Sequence, residues 1–257
     1  MARNIIVLGA GMVGVSVAWH LVRRGHEVTL VDRREPGLET SFGNAGIIQR
    51  EAVRPYAFPR DIGTLLRVLP NREVDIRYRP TGMMSAAGPL LDYWLNSSGE
   101  RYARIVREWA SLIMRCQEAH APMIEAAGAE ALVRKGGWLE LYRTRKEFEE
   151  RQQVAQENHE RFGVEYDVLD AEALYAKEPH LGKGLIGAIH WTQPWMVSDP
   201  GGLVQAYARS FAEQGGQVKQ ASVEDVLQVE GGWQVSKRSI NPIFSVRSAP
   251  RRLMSFH

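Results

Sequence analysis

The chain has 257 residues, enough for one large or two modest domains. Hydrophobic residues make up 44% and charged residues 24%, an ordinary globular balance, and a net charge of +2 offers nucleic acid no electrostatic reason to bind. The single cysteine, Cys116, excludes an internal disulfide and fits a reducing compartment, and no run of about 18 apolar residues is present to span a bilayer.

The first element is an apolar run, Ile5 to Leu8, suited to a buried parallel strand. Gly9, Gly11 and Gly14 follow with the spacing G-x-G-x-x-G. Met12, Val13, Val15, Ala18, Trp19, Leu21 and Val22 then repeat with helical period until Gly25. Val28 to Val31 reads as a second strand, closed by Asp32, 18 residues after Gly14. Each glycine has a purpose in a dinucleotide unit: Gly9 for the sharp turn, Gly11 for close approach of a pyrophosphate, Gly14 for helix–strand packing. The helix N-terminus presents N–H groups to phosphate, and a carboxylate at Asp32 can take ribose hydroxyls. Glycine-rich turns alone are common, so the weight rests on strand, turn, helix, strand and acid in one unit; a βαβ unit without nucleotide is the alternative. Those glycines and the closing acid also set the N-terminus apart from a signal peptide.

The loop RREPGLETSFGNAG comes next, with small residues from Ser41 to Gly46. Together, GAGMVG, VDRRE and ETSFGNAG resemble the FAD-dependent amine and amino-acid oxidoreductases, most closely the D-amino-acid dehydrogenase group. The resemblance implies FAD as cofactor, with the acid on the adenosine ribose and the S-x-x-N-A-G loop against pyrophosphate and flavin. The candidate cofactor-binding residues are Gly9, Ala10, Gly11, Met12, Val13, Gly14, Asp32, Arg33, Ser41, Asn44, Ala45 and Gly46. Arg33 and Arg34 read as solvated strand-end charge, with a contact to a 2′-phosphate as the alternative. The implied fold class is α/β: a Rossmann-like FAD-binding domain, with a parallel sheet and flanking helices, plus an α+β substrate domain with a mixed sheet, C-terminally incomplete.

Beyond the loop, Tyr56 to Leu69 is mixed, and Pro70-Asn71 marks a turn. Val74 to Tyr78 alternates like a strand, Arg79 to Gly82 turns, and Met83 to Leu95 is a short apolar stretch containing Pro89. A long helix is expected from about Arg101 to Ala127, with Ile105, Trp109, Leu112, Ile113 and Cys116 on one face and Pro122 kinking or dividing it. Cys116 and His120 are four apart, but two ligands do not make a metal site, and no metal is expected; a buried thiol is the better reading. Strands are expected at Trp138 to Arg143, Val164 to Leu169 and Gly184 to Trp191. Lys146 to Phe162 reads as a charged, solvated helix ended by Gly163, and Asp170 as the cap of a helix through Tyr175. By resemblance, residues 47–198 form a substrate domain roofing the flavin.

A substrate carboxylate needs a cation, and Arg79, Arg134 and Arg143 are candidates, although surface charge is the default for each. His190 and Trp191 read as packing. Hydride transfer from Cα–H to flavin N5 requires no acid–base dyad if the amine binds unprotonated, so no catalytic residue is named.

Asp199 caps, and Pro200 opens, a helix to Gln214, followed by a short strand at Gln217 to Gln220. The resemblance implies that this strand is the third of the parallel sheet and that Ser222 to Val235 begins an antiparallel hairpin, with an isolated surface hairpin as the alternative. The resemblance fades near Val235. From Lys237 to His257 there are five basic residues, no acid and no clear period. The expected organisation is therefore 1–46 as the first part of the FAD-binding domain, 47–198 as the substrate domain, 199–236 as the return to the FAD-binding domain and 237–257 as an atypical basic tail. That pattern reads as the N-terminal portion of an enzyme with a non-native end, incompetent for turnover; a genuine short relative is the alternative. The implied partners are an amino-acid or amine substrate and an electron acceptor, a quinone or other carrier. The implied location is cytoplasmic, or peripheral at the inner face of the cell membrane. An NAD(P)-dependent enzyme and a non-catalytic fragment are the competing readings; the first would have no need of SFGNAG.

Overall fold

The apolar run at the N-terminus does form a strand, β1 (Asn4–Leu8). The computed structural model describes residues 2–72, 77–237 and 241–247. In chain order β1 is followed by α1 (Met12–Arg23), β2 (Glu27–Asp32), β3 (Ile47–Ile48), α2 (Ile62–Val68), α3 (Pro80–Asn96), α4 (Gly99–Ile113) and α5 (Cys116–Ala126). Then come β4 (Val133–Lys135), β5 (Trp138–Tyr142), α6 (Arg145–Phe162), β6 (Tyr166–Asp170), α7 (Ala171–Lys177), β7 (Gly187–Trp191) and β8 (Trp195–Val197). The last elements are α8 (Pro200–Glu213), β9 (Gln217–Gln220), β10 (Asp225–Val229), β11 (Gly232–Lys237) and β12 (Asn241–Arg247). They group into two compact units.

Unit 1 comprises residues 1–48, 117–138 and 194–257. Its parallel sheet has the order β1-β2-β9, with Asn4 opposite Glu27 and Thr29 opposite Gln217. The helical crossover from β1 to β2 is α1, whose Val15, Ala18 and Trp19 are fully buried. Side chains of valine size or larger stabilise the fold by about 1.5–3 kcal/mol each when buried. Trp19 donates its indole N–H to Ser210 Oγ on α8 at 3.1 Å, and Ser210 Oγ in turn donates to the Ala126 carbonyl at 3.3 Å. β1 itself is only partly buried and Leu8 is exposed, because among the described strands it pairs on one edge alone, with β2.

Three features depart from the sequence reading. Residues 117–138 and 194–198 group with the nucleotide-type strands rather than with the middle of the chain, because α5 buries Met123 and Ile124 and reaches α8 through Ala126. Pro122 does not divide the long helix. The break falls at Met114-Arg115, and α5 runs on through Pro122. Part of the basic tail is a strand: β12 lies antiparallel to β11, with Trp233 opposite Val246 and a register shift at Val235/Ser236. Residues 238–240 and 248–257 lie outside the described residues.

Unit 2 comprises residues 49–116 and 139–193. It holds the sheet β5-β7-β6, in which β6 is antiparallel to β7, with Tyr166 opposite Trp191. The capping residues act as their chemistry dictates. Asp170 accepts the Ala173 N–H at 2.8 Å at the start of α7, and Gly163 ends α6 at φ 64°. Trp191 is fully buried and donates to Glu140 Oε2 at 2.9 Å, where Arg151 also pairs. On α4 the buried residues are Val106 and Ala110, whereas Leu112 is largely exposed and Trp109 reaches the Ala52 carbonyl. The apolar stretch around Pro89 is helical throughout, in α3, and part of the mixed segment forms α2. Of the strand expected at Val74 to Tyr78, residues 74–76 lie outside the described residues, and Arg77 and Tyr78 are not in a strand.

Candidate functional site

The site is built where β1 turns into α1. Gly9 adopts φ +97°, a conformation closed to most side chains, and its N–H donates to the Val31 carbonyl at 2.8 Å, tying the turn to β2. A Cβ at Gly14 would lie 1.8 Å from the Gly9 carbonyl oxygen, so helix and turn touch backbone to backbone there. A Cβ at Gly9 or Gly11 would meet nothing within 4 Å. One glycine therefore closes the turn, and the other two leave space beside it.

Helix α1 begins with Gly11 as an extended N-cap, with no side-chain cap and no acid in its first turn. Its first N–H groups and positive dipole end suit an anion. Val7, Gly11, Val13, Val17, Ser41 and Asn44 are among the residues lining a cleft of about 560 Å³ over this turn. Val13 is 77% exposed on that side of the helix.

Asp32 ends β2 and holds the turn. Its Oδ2 accepts the Ala10 N–H at 2.6 Å, and its Oδ1 accepts the Arg34 N–H at 2.9 Å. Arg33 and Arg34 both pair with Glu39, at 2.8 and 3.0 Å, on the exposed loop. The following loop is pinned at both ends. Ser41 is buried, Asn44 Oδ1 accepts the Gly46 N–H at 2.8 Å, and the Gly46 carbonyl accepts the Val197 N–H of β8 at 2.6 Å. Gly46 adopts φ +64°, and a Cβ there would lie 2.2 Å from the Val197 carbonyl oxygen.

The predicted residues thus separate into groups. Gly9, Gly11, Met12, Val13, Gly14, Ser41 and Asn44 line one cleft. Ala10 is buried, with its N–H taken by Asp32, and Arg33 faces solvent with Glu39. Ala45 is exposed, and Gly46 anchors the loop to β8. Sequence reasoning missed Val7, Leu8, Val17 and Thr40 in the lining. Val17 carried a signal: it stands one turn beyond Val13, off the face marked by Val15, Ala18 and Trp19.

Below α1, His120 Nδ1 lies 3.0 Å from the Tyr207 hydroxyl. Burial, helped by the charge of His20, holds His120 down to about 4, and burial pushes Tyr207 above the usual phenol range. Cys116 is half-buried, with its thiol 3.8 Å from the Gln49 carbonyl. Among the described residues no three His, Cys, Asp or Glu side chains assemble as a metal site. Arg134, in unit 1, and Arg79 and Arg143, in unit 2, are exposed.

The sequence profile of the FAD dependent oxidoreductases matches residues 4–246, running into the segment read as atypical tail. A D-amino acid dehydrogenase of Methylobacterium sp. (strain 4-46) is 35% identical over 188 residues, 70% of this chain and 43% of its own. D-amino acid dehydrogenase 1 of Mesorhizobium japonicum is 34% identical over 185 residues, 70% of this chain and 43% of its own. The chain therefore spans less than half the length of these relatives. Among solved structures, glycine oxidase from Geobacillus kaustophilus superposes with a TM-score of 0.60 at 17% identity, over 96% of this chain and 54% of its own. L-amino acid deaminase from Proteus vulgaris does so at 0.61 and 14%, over 91% and 43%. At such identities the likeness is one of fold.

Proposed function

The chain belongs to the FAD dependent oxidoreductase family, and on that premise we propose that its β1–α1–β2 unit and Ser41–Gly46 loop bind FAD. The observation that carries the reading is the uncapped N-terminus of α1, open beside Gly9 and Gly11 and facing a cleft that also includes Ser41 and Asn44. The α1 N–H groups hold the pyrophosphate, and the backbone at Gly11 lets it come close. Asp32 accepts ribose hydroxyls with the lone pairs that Ala10 and Arg34 leave unused. Arg33 sits with Glu39 and takes no phosphate.

The chemistry supplied by a bound flavin is acceptance of a hydride from a carbon bearing nitrogen. We propose a D-amino acid or a related amine as the substrate, following the relatives' names, with electrons passing on to a quinone or another carrier. Among the described residues no helix is long and apolar enough to cross a membrane, and a peripheral position at the inner face of the cell membrane is proposed. Substrate oxidation is assigned to the architecture of the full-length relatives and FAD binding to these residues. The test is the absorbance spectrum of the purified chain after incubation with FAD and gel filtration. Retained flavin bands support the reading; their absence, with NADH retained instead, refutes it.

A further inference from the structure

Helix α8 opens with Pro200, Gly201 and Gly202, and only part of that opening serves the helix. Asp199 caps it by accepting the Gly202 N–H at 2.9 Å, and Pro200 suits a first helical residue. Glycine is the poorest helix former after proline, so two in the first turn call for another reason. Gly202 lets the cap close, because a Cβ there would lie 2.4 Å from Asp199 Oδ2. Gly201 is buried against a different neighbour. A Cβ on it would stand 3.5 Å from the Gly37 carbonyl oxygen and 3.6 Å from the Phe42 ring. From the other side, a Cβ on Gly37 would stand 2.7 Å from the Gly201 carbonyl oxygen.

Loop 37–46 therefore rests on the corner at residues 197–202 at both of its ends. At the far end the Gly46 carbonyl accepts the Val197 N–H at 2.6 Å, and a Cβ on Gly46 would come within 3.1 Å of Pro200 Cγ. Between these supports lie Thr40, Ser41 and Asn44, the loop residues that share the cleft with the glycine turn. The corner is firmly built. β8 is the middle strand of β3-β8-β4, with Met196 opposite Ile47 on one side and Arg134 on the other. The Ser198 N–H donates to the Leu132 carbonyl at 2.9 Å, and α8 buries Leu203, Val204, Tyr207 and Phe211.

The glycine turn has separate supports, from Gly9 to the Val31 carbonyl and from Asp32 to the Ala10 N–H. Gly37 joins the loop to that turn by donating to the Ala10 carbonyl at 3.1 Å, which leaves the N–H groups at the start of α1 untouched. We propose that the corner at residues 197–202 is the seat that positions loop 37–46 for FAD, with Val197 and Gly201 as positioning residues. This rests on the FAD reading above. The α1 N-terminus and Asp32 serve the pyrophosphate and the ribose, so the loop serves the remaining, flavin-bearing half. The corner thus governs the difference in affinity between FAD and ADP, which shares only the adenosine and the two phosphates.

The test is calorimetric titration of the 257-residue chain, Gly201→Ala and Gly201→Val with FAD and with ADP. The wild type is expected to bind FAD more tightly than ADP. Alanine makes ordinary contacts at 201 and should keep both affinities. The γ-carbons of valine have no such room and press on Phe42 and Gly37. FAD affinity should then fall about tenfold or more, with ADP affinity changed by less than about twofold. Unchanged FAD affinity in Gly201→Val, or an equal fall for both ligands, overturns the seat and leaves the FAD reading standing. A wild type that does not bind FAD refutes that reading, and the seat with it. Hydrogen exchange of the wild type needs no variant to fold. Exchange of the Val197 amide should slow with FAD and not with ADP, whereas the Gly9 amide should slow with both. Equal protection of Val197 by the two ligands, or by neither, overturns the proposal.

Discussion

The Asp32 carboxylate accepts the backbone N–H of Ala10 at 2.6 Å across 22 residues of sequence. The acid at the end of β2 is therefore part of the glycine turn's own structure as well as the proposed acceptor for ribose. Ala10 cannot offer that N–H to a phosphate, so the proposed phosphate-binding role is given to the N-terminus of α1 beyond Gly11.

From that bond, Asp32→Ala removes two kinds of interaction at once. FAD affinity should fall by about 1.5–3 kcal/mol, the worth of hydrogen bonds to a charged group, and the apo chain should also lose about 1 kcal/mol of stability. Fluorescence titration with FAD and urea unfolding without it separate the two effects. A variant with unchanged apo stability would show that the Ala10 contact contributes nothing to the fold.

Gly14 and Gly11 should respond differently to added side chains. Gly14→Ala places a methyl where the Gly9 carbonyl stands, and overpacking of that kind costs about 1–3 kcal/mol. Gly11→Val has open space around its Cβ, so the fold should hold while the pyrophosphate site fills. Urea midpoints measured for both variants without ligand should fall clearly for Gly14→Ala alone.

His120 makes stability depend on pH. Its folded value of about 4 lies below the ordinary imidazole value of 6.5, so between those limits the unfolded chain binds the extra proton. Its contribution is complete above pH 6.5 and is lost as pH falls towards 4, by an amount on the order of 3 kcal/mol. His120→Gln keeps a hydrogen-bonding partner for Tyr207 but cannot titrate. Its unfolding free energy should fall less between pH 7 and 4.5 than that of the wild type, and equal slopes would show that His120 titrates normally.

What could be read from residues alone was whatever carries local chemistry. The β1–α1–β2 unit was legible because its glycines, period and acid lie within 28 residues, Ile5 to Asp32. The caps Asp170 and Asp199 were legible because each side chain bonds a backbone N–H three residues on. The very short strands β3, β4 and β8 were not, since two or three residues hold no period. Yet β8 anchors Gly46, so the reason the loop sits where it does was invisible. β12 escaped because its pairing is made by backbone opposite β11, and Pro242 and Arg247 gave it no strand-like pattern. The period that groups Leu112 with Ile105 and Trp109 does not show which face is covered: the smaller Val106 and Ala110 form the buried face and Leu112 is largely exposed.

The claim that the turn at Gly9–Gly14 is an FAD site is tested most directly by thermal unfolding of the wild type and Gly11→Val, each with FAD and with NADH. The account predicts that FAD raises the wild-type midpoint while NADH leaves it unchanged. Neither ligand should move the midpoint of Gly11→Val, and its ligand-free midpoint should stay near that of the wild type. A rise with NADH and none with FAD, or an undiminished FAD shift in Gly11→Val, would contradict it.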